Sequence, residues 1–92
     1  MLNSAQWPKP LPGKKQELLA LFKNVVTESR KESGCVFYEC CEKGDNIIFI
    51  QKWKTEADLL KHKKQPHVQD VKPKIKELIE GEVIISKCPI LI

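Results

Sequence analysis

Residues 46–53, NIIFIQKW, and residues 55–67, TEADLLKHKKQPH, decide the fold of this chain, because they lead a β-strand directly into a helical segment. Four consecutive apolar residues, 47–50, leave neither face of that strand polar, which is typical of a sheet covered on both sides. A chain of 92 residues can cover only one face with its own helices. The other face therefore requires a ligand or a second subunit, and we expect Gln51, Trp53, His62 and His67 at the edge of the enclosed space.

Length and composition indicate a single domain over residues 1–92, with 41% hydrophobic and 30% charged residues, a balance typical of soluble globular proteins. No run approaches the roughly 18 apolar residues of a membrane helix, and residues 1–15 contain no apolar stretch like that of a signal peptide. These features predict a cytoplasmic protein with no membrane partner. The net charge of +4 comes with lysines interleaved among apolar helix positions, which we interpret as a solvated helix surface rather than a nucleic-acid site.

The four cysteines do not form a metal-binding pattern. Cys35, Cys40, Cys41 and Cys88 contain no C-x-x-C pair, and no histidine lies at zinc-finger distance from them, so we predict no metal site. Cys40 and Cys41 point to opposite faces of a strand and cannot enter one site together. We expect reduced thiols, with a catalytic thiol as the alternative.

Periodicity and turn signals give the order of elements. They predict, in order, helix 14–32, strand 35–41, a turn at 43–46, strand 47–53, helix 55–64 opened by a capping box, a helical stretch that starts at Pro66 and kinks or restarts at Pro73, and strand 82–88 ended by Pro89. With a first strand added, the order is βαββαβ. This is the α+β, ferredoxin-like arrangement, a sheet with helices on one face.

The first strand is the weak part of that prediction. Residues 1–12 alternate poorly and contain Pro8 and Pro10, although this topology places the first strand in the middle of the sheet, where proline removes ladder hydrogen bonds. We therefore expect at best a short strand within residues 2–7, with 8–12 irregular. The last strand should then pair poorly with it.

From Pro12 to Ile85 the motifs resemble the antibiotic biosynthesis monooxygenase (ABM) family, which includes quinol monooxygenases. The resemblance is carried by PGK at 12–14, by SRKESGC at 29–35 with Tyr38 beyond it, by the strand that ends in Trp53, and by His62 with Pro66-His67. It implies a homodimer whose sheets pack face to face as an α+β barrel. It also implies oxidation of a small aromatic quinol or phenol by O₂ with no cofactor.

Gln51 departs from the family pattern. The family commonly has a glutamate two residues before the tryptophan, and glutamine cannot act as a base. Two alternatives to the monooxygenase stay open: a non-catalytic dimeric binder of small molecules, and an isomerase of a small phosphorylated sugar, an activity of relatives with the same fold. RNA binding is the weakest hypothesis, because residues 46–53 lack the glycine of an RNA-recognition strand.

Three residues are the predicted catalytic groups: His67, His62 and Tyr38. His67 follows Pro66 in the first turn of a helix, where the positive end of the dipole favours neutral imidazole, a form that can accept a proton. The Tyr38 hydroxyl could donate a hydrogen bond to a phenolate. Ordinary capping or surface roles for the histidines remain the alternative.

The predicted substrate-binding residues are Trp53, Gln51 and Phe49, which share one strand face by the period of two. A core-packing role for Trp53 remains the alternative. Within the family chemistry, a histidine removes a proton from the bound substrate, and the resulting anion gives an electron to O₂.

Overall fold

The computed structural model describes residues 1–90. Its elements are β1 (Leu2–Trp7), α1 (Lys15–Ser29), β2 (Cys35–Lys43), β3 (Asn46–Trp53), α2 (Glu56–Lys63), α3 (Pro66–Gln69), α4 (Lys72–Leu78) and β4 (Ile84–Pro89). The four strands form one antiparallel sheet in the order β2-β3-β1-β4. The predicted α+β, ferredoxin-like fold is confirmed.

The hairpin β2–β3 lies at one side of the sheet and agrees with the prediction. Its strands pair from Lys43↔Asn46 to Cys35↔Trp53, with a bulge between Cys35 and Phe37. Gly44 takes a positive φ of 59° in the two-residue turn, a conformation that glycine adopts without steric cost.

The central strand β1 corrects the expectation of a weak first strand. It spans the range expected for it, but it pairs along its length with both β3 and β4, from Leu2↔Pro89 to Trp7↔Ile84 on the β4 side. Pro8 and Pro10 do not interrupt the pairing of β1 because they follow the strand, and a proline residue still has a carbonyl that accepts hydrogen bonds. The carbonyl of Pro8 accepts from the amide of Ile47, and Pro10 forms a bridge with Ile79. The expected poor pairing of the last strand is therefore wrong.

The sequence signals that predicted where helices begin and break are confirmed for the helices after β3. Thr55 caps α2 by accepting a hydrogen bond from the amide of Asp58 at 3.1 Å. Pro66 is the first residue of α3. A separate helix, α4, begins at Lys72 beside Pro73, so the predicted break occurs. α1 is shorter than predicted, because residues 30–34 form turns rather than a last helical turn. Among residues 1–90, no helix has the length and apolar character needed to cross a membrane.

The two faces of the sheet differ in cover. On β3, Ile47, Phe49, Gln51 and Trp53 are buried towards the helices, and the Phe22 ring of α1 meets Phe49 edge-on at 4.4 Å. The alternate residues point to the opposite face, which no element of residues 1–90 covers. Ile50 is 40% exposed on that open face. Phe37 on β2 and Ile84 on β4, 68% exposed, lie on the same face by strand register.

Candidate functional site

A buried group of ionisable side chains lies between the sheet and the helices. We call Glu32, His62 and His67 the histidine–glutamate cluster. Oε2 of Glu32 lies 2.6 Å from Nδ1 of His62 and 3.0 Å from Nε2 of His67. The three side chains are 15%, 4% and 14% exposed, respectively. A single carboxylate oxygen therefore contacts two imidazole rings in a place largely closed to water.

The turn after α1 positions Glu32. The amide of Glu32 donates to the carbonyl of Ser29 at 3.1 Å, and the Glu32 carbonyl accepts from Cys35 at 3.0 Å. Gly34 in this turn lies so close to Asp58 of α2 that a β-carbon at residue 34 would collide with the Asp58 side chain. This close approach needs glycine, and it allows the turn that carries Glu32 to lie against α2.

His62 faces inward from α2, although Lys61 and Lys63 flank it in sequence. Its ring stacks obliquely on the indole of Trp53, with centroids 4.5 Å apart and planes at 37°. Burial lowers the pKa of His62 below its ordinary value, with His67 and Lys63 acting in the same direction and Glu32 opposing them. His62 is therefore neutral at pH 7.

His67 is the second residue of α3, as predicted, but that helix has only four residues. So short a helix sums few peptide dipoles, which makes the Glu32 carboxylate the nearer electrostatic partner of His67. The helix dipole, on which the sequence prediction relied, is therefore a smaller electrostatic influence on His67 than the Glu32 carboxylate.

Tyr38 is buried beside the same aromatic group. Its ring centroid lies 5.4 Å from that of His62 and 6.3 Å from that of Trp53. Burial raises the pKa of the Tyr38 hydroxyl well above its ordinary value. The hydroxyl is therefore protonated at neutral pH and can act as a hydrogen-bond donor.

Gln51 and Trp53 form a buried polar pair. The Trp53 indole Nε1 donates to Oε1 of Gln51 at 2.9 Å. Because the indole N–H can only donate, this contact fixes which end of the amide is oxygen. The Gln51 Nε2 atom is then a buried donor without a partner among residues 1–90. Such atoms are uncommon in protein interiors, and the Gln51 donor is available to a bound ligand or a water molecule.

A small opening leads towards this layer. A cavity of about 210 Å³ is lined by Glu32, Ser33, Gly34, Trp53, Asp58, Lys61 and Gln65. It reaches the Glu32 carboxylate of the histidine–glutamate cluster and the Trp53 indole that stacks on His62. Its lining is largely polar, in contrast to the aromatic interior behind it.

Comparison with known proteins identifies the family. The family model described as antibiotic biosynthesis monooxygenase matches residues 8–74. The chain belongs to the antibiotic biosynthesis monooxygenase family. It is 34% identical over 82 residues to YcnE of Bacillus subtilis, covering 86% of each protein. It is also 25% identical over 79 residues to Rv0793 of Mycobacterium tuberculosis, covering 84% of this chain and 78% of that protein.

Solved structures confirm the fold. The structure of Rv0793 from Mycobacterium tuberculosis superposes with a TM-score of 0.94, covering 98% of this chain and 94% of that chain at 23% identity. A conserved protein from Methanosarcina mazei gives a TM-score of 0.91 at 24% identity, covering 95% and 89%. These likenesses establish the shared fold.

In this ABM domain, the residues singled out from sequence lie in one connected layer. His67, His62, Tyr38, Trp53, Gln51 and Phe49 are all on the helix side of the sheet and are linked by the ring and hydrogen-bond contacts above or by the 5.7 Å ring contact of Tyr38 with Phe49. The expected location is wrong in one respect. From sequence, this set was expected at the edge of a space enclosed over the sheet face that the helices do not cover. In the structure, the strand alternation points these side chains towards the chain's own helices instead.

Sequence reasoning missed Glu32. The only signal was its place in the segment 29–35 that carries the ABM resemblance, two residues before Gly34. The three donor atoms of Glu32, His62 and His67 lie within 4.8 Å of one another, and imidazole and carboxylate are ligands that a transition-metal ion accepts. The absence of a metal cofactor therefore stays a prediction.

Proposed function

We propose that this ABM protein is a monooxygenase that oxidises a small quinol or phenol with O₂ and needs no flavin, haem or metal. The observation that supports the proposal most is the histidine–glutamate cluster. It provides neutral imidazole and a carboxylate in a dry layer beside aromatic rings. An oxidation of this kind needs a base, an apolar environment and a donor for the developing oxyanion, and little else.

The reaction begins with proton transfer from the substrate hydroxyl to a histidine, His67 or His62. The phenolate gives one electron to O₂, and the resulting superoxide and substrate radical combine to form a C–O bond. The protonated histidine returns its proton to the peroxide anion. Loss of water, formed from the outer hydroxyl and the hydrogen on the oxygenated ring carbon, leaves a carbonyl on the ring, so that one oxygen atom enters the product and the other leaves as water. The substrate supplies all four electrons, and no external reductant is required.

Tyr38 and Gln51 have the roles of hydrogen-bond donors in this scheme. The Tyr38 hydroxyl keeps its proton because burial raises its pKa, and Nε2 of Gln51 is a buried donor without a partner within residues 1–90. Donors of this type stabilise a phenolate more than a neutral phenol, which favours the proton transfer that precedes electron loss. Trp53 and Phe49 provide the apolar walls.

The protein is proposed to act as a homodimer through the open sheet face. Phe37, Ile50 and Ile84 expose apolar side chains there, and a monomer rarely leaves such a face in water. A second copy packed sheet to sheet would give the α+β barrel and cover both faces of β3.

Gln51 favours a second candidate, a dimeric binder without catalysis. Glutamine cannot take a proton, and its free amide donor suits an oxygen atom of a bound small molecule. In this alternative, ligands bind to the helix-side layer and leave unchanged.

Oxygen uptake separates the two candidates. The purified protein is incubated with a panel of quinols and polyphenols on an oxygen electrode, and products from ¹⁸O₂ are analysed by mass spectrometry. The proposal predicts enzyme-dependent uptake with one labelled oxygen atom in the product. Ligands that raise the melting temperature without any oxygen uptake would instead establish the binder.

A further inference from the structure

The histidine–glutamate cluster has a proton arrangement that its geometry determines. We propose that Glu32 is a positioning residue that fixes the tautomers of both histidines, with hydrogen on Nδ1 of His62 and on Nε2 of His67. The proton-accepting atoms are then Nε2 of His62 and Nδ1 of His67.

The argument starts from the shared oxygen. Nδ1 of His62 and Nε2 of His67 both lie within hydrogen-bond distance of Oε2 of Glu32, at 2.6 and 3.0 Å. An ionised carboxylate can only accept hydrogen bonds. Imidazole is a stronger base than a carboxylate, so a proton between the two groups resides on nitrogen. Each contact therefore requires an N–H on the ring nitrogen that faces Glu32.

A neutral imidazole carries only one N–H, so fixing it on one nitrogen leaves the other as the acceptor. His62 has a lowered pKa and is neutral, so this condition applies to it directly. The two rings use opposite nitrogens towards Glu32, Nδ1 in one and Nε2 in the other, because they approach the carboxylate from different helices. Without Glu32, nothing else among residues 1–90 contacts these two ring nitrogens closely enough to select a tautomer.

The Glu32 carboxylate serves both rings as a hydrogen-bond acceptor in this arrangement. Oε2 has two lone pairs, and the two ring N–H groups occupy them. The carboxylate also connects α2 and α3 to the turn after α1. The ring centroids of His62 and His67 lie 6.0 Å apart. Its function is to orient both rings and to stabilise the imidazolium that forms when either outer nitrogen takes a proton.

The tautomers can be observed directly in the full-length protein. Long-range ¹H–¹⁵N correlation spectra of ¹⁵N-labelled protein, recorded over a pH series, distinguish Nδ1–H from Nε2–H in each ring. The expected result is a single Nδ1–H tautomer for His62 and a single Nε2–H tautomer for His67. A wild-type spectrum with hydrogen on Nε2 of His62, or with both rings averaging between tautomers, would overturn the inference.

Two variants and one control complete the test. In Glu32→Ala both rings should average between tautomers, and in Glu32→Gln at least one ring should, because an amide oxygen and an amide NH₂ cannot replace the shared carboxylate oxygen. Glu28→Gln removes the same charge from an exposed surface pair with Lys31 and should leave both rings unchanged. If Glu32→Ala does not fold, Glu32→Gln carries the test. Tautomers that stay fixed in the folded variant would show that Glu32 does not select them.

The consequence for turnover rests on the proposed function. With an accepted quinol, Glu32→Gln should lower kcat by roughly 10²-fold or more with a smaller change in KM, because misoriented bases slow the chemical step. The two proposals fail separately. Fixed tautomers without oxygen uptake would refute the monooxygenase, whereas oxygen uptake with averaging tautomers would refute the role of Glu32.

Discussion

The indole N–H of Trp53 donates to the amide oxygen of Gln51 at 2.9 Å, and both side chains are fully buried. The pair lies where the sheet meets the helices, two residues apart in sequence and on the same face of β3. Residue 51 is thus a neutral acceptor for the tryptophan and a free donor on its other side.

Introducing the family's glutamate tests this site. We expect Gln51→Glu to destabilise the protein by about 1–3 kcal/mol at neutral pH, because a buried carboxylate lacks a cationic partner there. Burial would raise the folded-state pKa of the new carboxyl above its unfolded value. The variant should therefore lose stability as pH rises above roughly 4.3. Urea denaturation over a pH series measures this, with the exposed Gln16→Glu as the control that changes little.

Removing the side chain of His67 tests its role as a base. His67→Ala should lower turnover of an accepted quinol by roughly 10²-fold or more, with the circular dichroism spectrum and oligomeric state unchanged. Gln69→Ala, an exposed position on the same helix, is the matched control. Wild-type activity should survive dialysis against a chelator. An unchanged rate in His67→Ala would assign the proton transfer to His62.

The buried state of His62 predicts a dependence of stability on pH. Its folded-state pKa lies below the unfolded value, so the unfolded chain takes up a proton first as pH falls. The free energy of unfolding should decrease as pH falls below about 6.5, the ordinary histidine value. His62→Gln should lose this part of the slope. A slope identical to that of the wild type would mean that His62 does not titrate differently on folding.

The open sheet face predicts a homodimer. Light scattering at micromolar concentration should give twice the mass of the 10.6 kDa chain. Ile50→Glu places a charge in the proposed interface and should give monomers. Leu60→Glu introduces the same charge at an exposed residue of α2 and should leave the dimer intact. A wild-type monomer would exclude the barrel.

Hydrogen exchange tests the strand order. β1 has a partner on each side, whereas β4 is an edge strand whose residues are all exposed. Amides of Ile84–Cys88 should therefore exchange faster than those of residues 47–50, and Leu2–Trp7 should be protected. Equal protection of β4 and β3 would indicate that another surface covers the edge.

Local signals in the sequence were enough for most of the fold. The turn at Gly44, the Thr55 cap and the prolines at 66 and 73 act within a few residues of themselves, and each has the predicted effect. The first strand was misjudged because Pro8 and Pro10 were counted against a strand that ends at Trp7. Six residues suffice for a central strand when both neighbours supply partners.

The site was harder to predict because tertiary packing determines it. Periodicity placed Phe49, Gln51 and Trp53 on one face, but it could not tell which face meets the helices. The lysines beside His62 suggested exposure, although one inward position on a short helix is enough to bury a ring. Glu32 is 30 residues from His62 and 35 from His67, so no local pattern reveals their contact.

The placement of the histidine–glutamate cluster on the helix side has a kinetic consequence. In a dimer joined through the open face, two sheets separate the two clusters, and each chain contains all the groups of its own cluster. The two subunits should then work independently, with hyperbolic rather than sigmoidal saturation. Heterodimers of one intact and one inactivated chain should retain half of the activity.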